Sequence, residues 1–374
     1  MPQDLNFALT PDQQDMRASI RAFISEHSPI EVAKAHQDGT VARAKRDLWS
    51  RLHDQYGAQG MCIPEEYGGL GFELDDLCVV LSEMGANLFA GPYWSTVALA
   101  TPVLLAAEPN GVRDGWLRAI AEGRLAASVA HTSVTGTSPA RSVTATRTGD
   151  EWHLTGRAGF VLDADVADLI LVVAETVAGL QFFGITTAGI DIKTTSLDSI
   201  DPTRQVFEVE FDDAEAIPLL HAHGAESALL DATAYACVAL GAEQVGGARR
   251  SLARTVEFAK QRVQFGKPIG SFQAVQHQCA DALIAIEGAE SAVLYAAWAH
   301  GDRSPEFTIA SSVAKVAASE AFMDVATKFV HLSGTIGFTK EYDAQLYYRR
   351  AKWSSLYLGS SAAHRGRIAD QLGI

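Results

Sequence analysis

Basic residues are in short supply along these 374 residues: 30 lysines and arginines face 45 acids, for a formal net charge of −15. So acidic a chain is repelled by nucleic-acid phosphates and by anionic membrane surfaces, which excludes both as main partners. Cysteine is scarce too. Cys62, Cys78, Cys237 and Cys279 lie far apart in apolar stretches, and no CxxC pair occurs. That removes dithiol redox work and cysteine-held zinc, and leaves buried thiols in a reducing compartment as the expectation. GxSxG and HExxH are both absent, so serine-hydrolase and zinc-hydrolase chemistry drop out. The opening stretch MPQDLNFALTPDQQD has neither a basic n-region nor an apolar h-region, and no uninterrupted apolar run approaches the ~18 residues of a membrane span. No membrane is expected, and the cytosol is the expected location.

What is present is an ordinary globular balance, 48% hydrophobic and 20% charged, in a chain long enough for two or three packed units. The first 122 residues read as helices. Thr10-Pro11-Asp12-Gln13 is a helix start with a threonine cap, proline at the first helical position and glutamine three residues after the cap. Met16, Ile20, Phe23 and Ile24 then line one face. A further helix through Leu48, Trp49 and Leu52 breaks at Pro64-Glu65-Glu66-Tyr67-Gly68-Gly69-Leu70-Gly71, and helix resumes around Asp75–Gly85. Pro92 interrupts, and 94–107 continues in apolar helical style.

From about residue 125 the period changes to two. Val143, Ala145 and Arg147 alternate with threonines, Gly149-Asp150 turns the chain, and Trp152, Leu154 and Gly156 return. Short β-rich runs follow at 169–173, 180–185, 190–193 and 205–211, so residues 123–220 read as a small β-barrel or sandwich domain. His221 and His223 are spaced i, i+2 without further ligands in view, so the expectation there is a linker and no metal. Residues 221–374 then read as a helical bundle. A proline-free helix spans about 226–262, with Gly241, Gly246 and Gly247 marking close approach of another backbone or a ligand. Helices at 273–300 and 306–331 follow. A last one starts near Asp343 and pauses near Gly359, which makes a four-helix bundle the economical packing.

Four segments carry a resemblance to the acyl-CoA dehydrogenase family, and together they span nearly the whole chain. LTPDQQDMRASIRAFISEH resembles the family's opening helix, and GMCIPEEYGGLGFELDDLCVVLSEMG its PEEYGGLG turn with the helix that follows. AKQRVQFGKPIGSFQAVQHQCAD is similar to the R-x-x-FGxPI segment, and GTIGFTKEYDAQLYYRRAK to the GGxGFT segment. The resemblance implies the acyl-CoA dehydrogenase fold: an all-α N-terminal domain, a small β-barrel or sandwich middle domain and a C-terminal four-helix bundle. It also implies FAD as cofactor, an acyl-CoA thioester as substrate, and FAD lying across a subunit boundary. The reaction removes an α-proton while the β-hydrogen leaves as hydride, which calls for fixed donors to the developing enolate and a desolvated carboxylate base.

On that resemblance, Arg262 would face the pyrophosphate of a neighbouring subunit's FAD with a bidentate geometry that lysine does not supply. Phe265 would pack on its adenine side and Gln273 would hydrogen-bond across the interface. GKP here is no phosphate loop, since Gln261 and Pro268 occupy its key positions. Where the family has Q-x-x-GG, this chain has His331-Leu332-Ser333-Gly334-Thr335, so backbone binding at Gly334 persists while His331 and Thr335 depart from the pattern. The family's T-E-P-x-x-GSD loop corresponds to HTSVTGTSPARSV, and its W-I-T-N strand to Phe160-Val161-Leu162-Asp163. By spacing, Leu162 falls where a threonine hydroxyl would meet flavin N5, and an isobutyl group cannot donate that bond.

The base departs at both places where the family carries it. Leu358 stands before Gly359 in place of the common glutamate, and Ala236 occupies the minority position on the long helix. Glu243, seven residues on, is the remaining candidate, with its Cα ~10 Å further along the axis. This pattern resembles the base-lacking partner subunit of mixed α2β2 acyl-CoA dehydrogenases of bacterial steroid side-chain degradation. It implies a paralogous active subunit and an electron-transfer flavoprotein as partners. Two alternatives stand beside it: a self-sufficient dehydrogenase with an unorthodox base such as Glu243, and a flavin-dependent monooxygenase on the same scaffold.

Overall fold

The computed structural model describes residues 8–35, 42–132, 142–188 and 192–374. Most of the HTSVTGTSPARSV stretch and the start of the 190–193 run lie outside the described residues. The described chain is helical, then β, then helical again, and it divides into two compact units that interleave in sequence. One collects Met1–Gln37, Leu74–Phe89 and Cys237–Ile374; the other collects Asp38–Glu73 and Ala90–Ala236.

In the first unit, α1 (Pro11–His27) starts with the capping box its sequence announces. The Thr10 hydroxyl accepts from the Gln13 amide at 3.2 Å, and the Gln13 side chain accepts from the Thr10 amide at 3.2 Å. Together they satisfy two otherwise orphaned backbone donors. Ile20, Phe23 and Ile24 are buried where α1 packs on α4 (Leu74–Ala86). The short α2 (Ile30–Ala35) follows α1, and α7 (Gly224–Gln261, of which Cys237 onward belongs to this unit), α8 (Gln273–Gly301), α9 (Phe307–Ser333), α10 (Ala344–Leu356) and α11 (Ser361–Leu372) complete the C-terminal part. The expectation of one last helix with a pause resolves into two helices. Leu358 and Gly359 take φ of 62° and 110°, values that end an α-helix and turn the chain. The glycines of α7 meet other parts of the bundle as expected. A Cβ on Gly246 would stand 1.8 Å from the Ser82 carbonyl oxygen of α4, so only hydrogen fits between these two backbones. Among the described residues α8 is the one helix long and apolar enough to cross a membrane, and 39% of its most apolar window is buried.

The second unit holds α3 (Ala42–Tyr56), α5 (Thr101–Ala106) and α6 (Gly111–Ala121) beside the sheet. The PEEYGGLG turn is a tight one. Gly68 and Gly71 have positive φ, and a Cβ on Gly69 would stand 2.0 Å from the Ile63 carbonyl oxygen. Trp94–Ala100, expected as ordinary helix, is wound with i→i+5 bonds and is wholly buried before α5 begins; such wide turns concentrate at functional sites.

The strands are β1 (Ala127–Ala130), β2 (Val143–Thr148), β3 (Glu151–Leu162), β4 (Leu169–Thr176), β5 (Gly179–Thr186), β6 (Ile192–Leu197) and β7 (Val206–Leu219). Pairing runs β1-β4-β2-β3-β7-β5, with β6 on β7, and a further β4–β5 pairing closes β4, β2, β3, β7 and β5 into a ring. Closure leaves those five strands no free edge. Leu154, Ala158, Val161, Val172, Phe183 and Val209 fill its core. β3 and β7 run well beyond the short segments that alternation marks, because two register shifts in their pairing let the strands bend and continue.

Candidate functional site

The R-x-x-FGxPI segment leaves α7 as a hairpin of β8 (Val263–Gln264) and β9 (Lys267–Pro268). The Ile269 amide donates to the Arg262 carbonyl at 2.8 Å and closes it. Phe265 and Gly266 both adopt positive φ, 53° and 78°, the pattern of a type I′ turn, which glycine tolerates and phenylalanine resists. The turn lifts the Phe265 ring off the protein to 90% exposure, with only an edge contact to Phe272 at 6.2 Å. Arg262 is exposed and makes no ion pair among the described residues, and Gln273 is exposed at the start of α8.

The second cluster caps α9. His331 is exposed in its last turn, and its carbonyl accepts from the Gly334 amide. Gly334 has φ 64° and ψ −144°, a backbone region essentially confined to glycine. Thr335 follows, exposed, in a 3-10 turn that ends at the exposed ring of Phe338. All six residues singled out on the sequence are therefore presented outward by one unit. No hydrogen bond or ion pair joins the Arg262–Phe265–Gln273 group to the His331–Gly334–Thr335 group among the described residues.

Of the base positions, Ala236 is fully buried in α7. Leu358 sits in the left-handed turn between α10 and α11, and its carbonyl lies 3.1 Å from His364 Nε2. His364 also meets Ser312 Oγ through Nδ1 at 3.2 Å and Cys237 Sγ at 3.9 Å. Burial holds the imidazole neutral, its pKa lowered to about 4, and pushes the Cys237 thiol up to about 11. Nearby, Lys315 is fully buried, donating to Ser319 Oγ at 3.0 Å and to the Ser354 carbonyl at 2.8 Å; burial lowers it to about 8. Among the described residues no carboxylate belongs to this cluster. Sequence reasoning missed it, although Ser312, Lys315 and Ser319 recur at helical spacing; such a stripe reads as a solvent face, and here it is interior.

Glu243 is 4% exposed and engaged by Arg350, itself 1% exposed, through a hydrogen-bonded ion pair. A carboxylate so held is not free to swing toward a substrate.

In the other unit, Phe160-Val161-Leu162-Asp163 closes β3. Phe160 and Asp163 adopt φ of 55° and 49°, strained values for non-glycine residues that only over-determined surroundings maintain. Lys45 provides them, reaching Asp163 at 2.9 Å and Asp165 at 3.0 Å, while Ser95 donates to Asp163 at 3.0 Å. Leu162, expected by spacing at a flavin edge, has its side chain turned into the protein at 1% exposure, and its carbonyl is taken by the Ser128 hydroxyl. Phe160 is the member of this segment that reaches the surface, at 39% exposure.

Comparison with known proteins bears on the fold and the family. Residues 10–124 match the acyl-CoA dehydrogenase N-terminal domain and residues 224–373 the acyl-CoA dehydrogenase C-terminal domain. The chain is 31% identical to acyl-CoA dehydrogenase IpdE2 of Mycobacterium tuberculosis, covering 97% of this chain and 99% of that one. Among solved structures it is similar to the ChsE4-ChsE5 complex from Mycobacterium tuberculosis (TM-score 0.87, 29% identity, 99% of each chain). It is also similar to a variant of the Tcur3481-Tcur3483 steroid ACAD (TM-score 0.86, 28% identity, 97% of this chain and 98% of that one). The chain belongs to the acyl-CoA dehydrogenase family.

Proposed function

We propose that this chain is the base-lacking subunit of a mixed, FAD-dependent acyl-CoA dehydrogenase, completing the FAD site of an active paralogous subunit. The observation that carries the reading is the fate of the three base candidates. Ala236 and Leu358 have no acidic group, and Glu243 is locked to Arg350. A thioester α-proton needs a desolvated carboxylate free to take it, so the partner supplies the base.

The outward-facing residues fit the role of donor to a shared cofactor. Arg262, with no carboxylate to neutralise it, suits a pyrophosphate, Phe265 offers a ring face, and the Gly334 backbone can approach closely without a Cβ. Gln273, His331 and Thr335 would add hydrogen bonds around it. The chain's own flavin face fits less well, because Leu162 is buried and has no hydroxyl to donate. FAD, when bound, accepts the hydride; the residues of this chain bind, orient and exclude water. The likeness to the ChsE4-ChsE5 complex and to the steroid ACAD Tcur3481-Tcur3483 supports a paired assembly and a bulky, ring-bearing acyl-CoA in steroid side-chain catabolism. An electron-transfer flavoprotein then takes the electrons.

The test is co-expression with an acyl-CoA dehydrogenase paralogue from the same genome, followed by counting FAD per chain. About one FAD per two chains is expected, with desaturation by the complex and none by this chain alone. An active, flavin-saturated assembly of this chain by itself refutes the proposal.

A further inference from the structure

The hairpin that carries Phe265 is tied down at its base and open at its tip. Gln276 Nε2 donates to the Gly270 carbonyl at 3.0 Å, and Ser271 Oγ donates to the Pro268 carbonyl at 2.7 Å. Gly270 approaches α7 so closely that a Cβ there would stand 3.1 Å from the Ala259 carbonyl oxygen. Phe272 follows as the N-cap of α8, and its carbonyl accepts from the Val275 and Gln276 amides at 3.0 and 3.1 Å. Its backbone is thus fixed by a 29-residue helix, support that Phe265 at the tip does not have.

Two side chains of the hairpin reach back to the Phe272 ring. Lys267 Nζ lies 4.4 Å from its centroid, and the Phe265 ring meets it at 6.2 Å with the planes 89° apart. A cation is drawn to the electron-rich face of a ring, and a perpendicular pair sets the electropositive edge of one ring against the face of the other. Lys267 is exposed and makes no ion pair among the described residues, so no carboxylate competes with Phe272 for its ammonium. Phe272 is also the one ring that Phe265 meets among the described residues.

We propose that Phe272 is a positioning residue: braced by Lys267, it holds the Phe265 ring in the orientation that packs against the adenine of a neighbouring subunit's FAD. The inference rests on the shared-cofactor reading above. A ring that is 90% exposed would otherwise sample its rotamers and lose that freedom on binding, a cost that ordering in advance removes. A perpendicular ring pair shifts such an equilibrium by about two- to tenfold. The left-handed backbone at Phe265, φ 53°, sets where the ring starts, and Phe272 sets where it points.

Fluorine NMR of the full chain alone, with Phe265→4-fluorophenylalanine, tests the positioning without any cofactor. The Phe272 ring should shift the resonance away from that of the free amino acid; Phe272→Leu should return it, and Phe272→Tyr should leave it shifted. Lys267→Met should move it part of the way, and that exposed site keeps the question measurable where Phe272→Leu does not fold. In the mixed complex, FAD should dissociate about two- to tenfold faster from Phe272→Leu, which leaves the charge of the hairpin untouched, and at the original rate from Phe272→Tyr. The double variant Phe265→Leu, Phe272→Leu should lose FAD no faster than Phe265→Leu alone. A resonance indifferent to Phe272→Leu and Lys267→Met overturns the positioning whatever the cofactor does. A responsive resonance with unchanged FAD release in Phe265→Leu sinks the shared-cofactor reading at this ring, and the proposal with it. Additive losses in the double variant overturn it as well, since a merely structural Phe272 would act without Phe265.

Discussion

Glu243 illustrates how a single neighbour decides what a carboxylate can do. Paired with Arg350 in the interior, it secures α7 to α10. Removing one partner of such a pair strands the other charge and costs about 3–5 kcal/mol. Glu243→Gln should therefore lower the melting temperature while leaving turnover of the mixed complex nearly unchanged. If Glu243 were an unorthodox base, turnover would instead disappear. His131 is a second case. Burial lowers its pKa to about 4 from 6.5, so between those values the unfolded chain binds a proton that the folded chain refuses. Stability is full above pH 6.5 and is lost as pH falls toward 4. The loss amounts to about 3 kcal/mol at 1.36 kcal/mol per pH unit. Denaturant unfolding at a series of pH values should show this slope, and His131→Asn should flatten it. His364 acts with the same sign, its pKa also lowered to about 4.

Among the elements, the β8–β9 hairpin stands out because its strain and its exposure coincide. Phe265 occupies a left-handed position at a cost of about 1–2 kcal/mol and recovers almost none of it through packing, being 90% exposed. Phe265→Gly should relieve the turn and raise thermal stability of the chain by up to about 1 kcal/mol. In the mixed complex the same change should release FAD more readily, read as flavin retained after dilution. Unchanged FAD retention would mean that the ring has no cofactor to meet. Across the helical unit, Gly246 plays the opposite part: it has no strain, and its missing Cβ lets α7 and α4 approach.

At the scale of the whole molecule, the division of labour follows from what each part retains. The residues proposed to meet a neighbour's FAD, at the ends of α7 and α9, all face outward, while the positions where the family carries its base hold alanine and leucine. The interior around Leu358 is filled by His364, Ser312, Cys237 and Lys315 in place of an acid. Such a chain has the scaffold of a dehydrogenase, and on the proposed reading it takes its proton-abstracting base from a second subunit, so flavin counted per chain and turnover of the isolated chain are the decisive readouts.

The order helix, strand, helix was legible from periodicity. So were the capping box at Thr10, the tight PEEYGGLG turn and the backbone contacts of the α7 glycines, because these depend on residues near in sequence or on the size of one side chain. That neither Ala236 nor Leu358 can serve as a base was legible too, since alanine and leucine cannot take a proton in any fold. Tertiary structure alone decided that Glu243 is held by Arg350, that the Ser312–Lys315–Ser319 stripe faces inward, and that Leu162 turns into the core. It also decided that β3 and β7 run on past their alternating segments. Each of these depends on which distant residues come within a few ångströms, and local propensity has no knowledge of that.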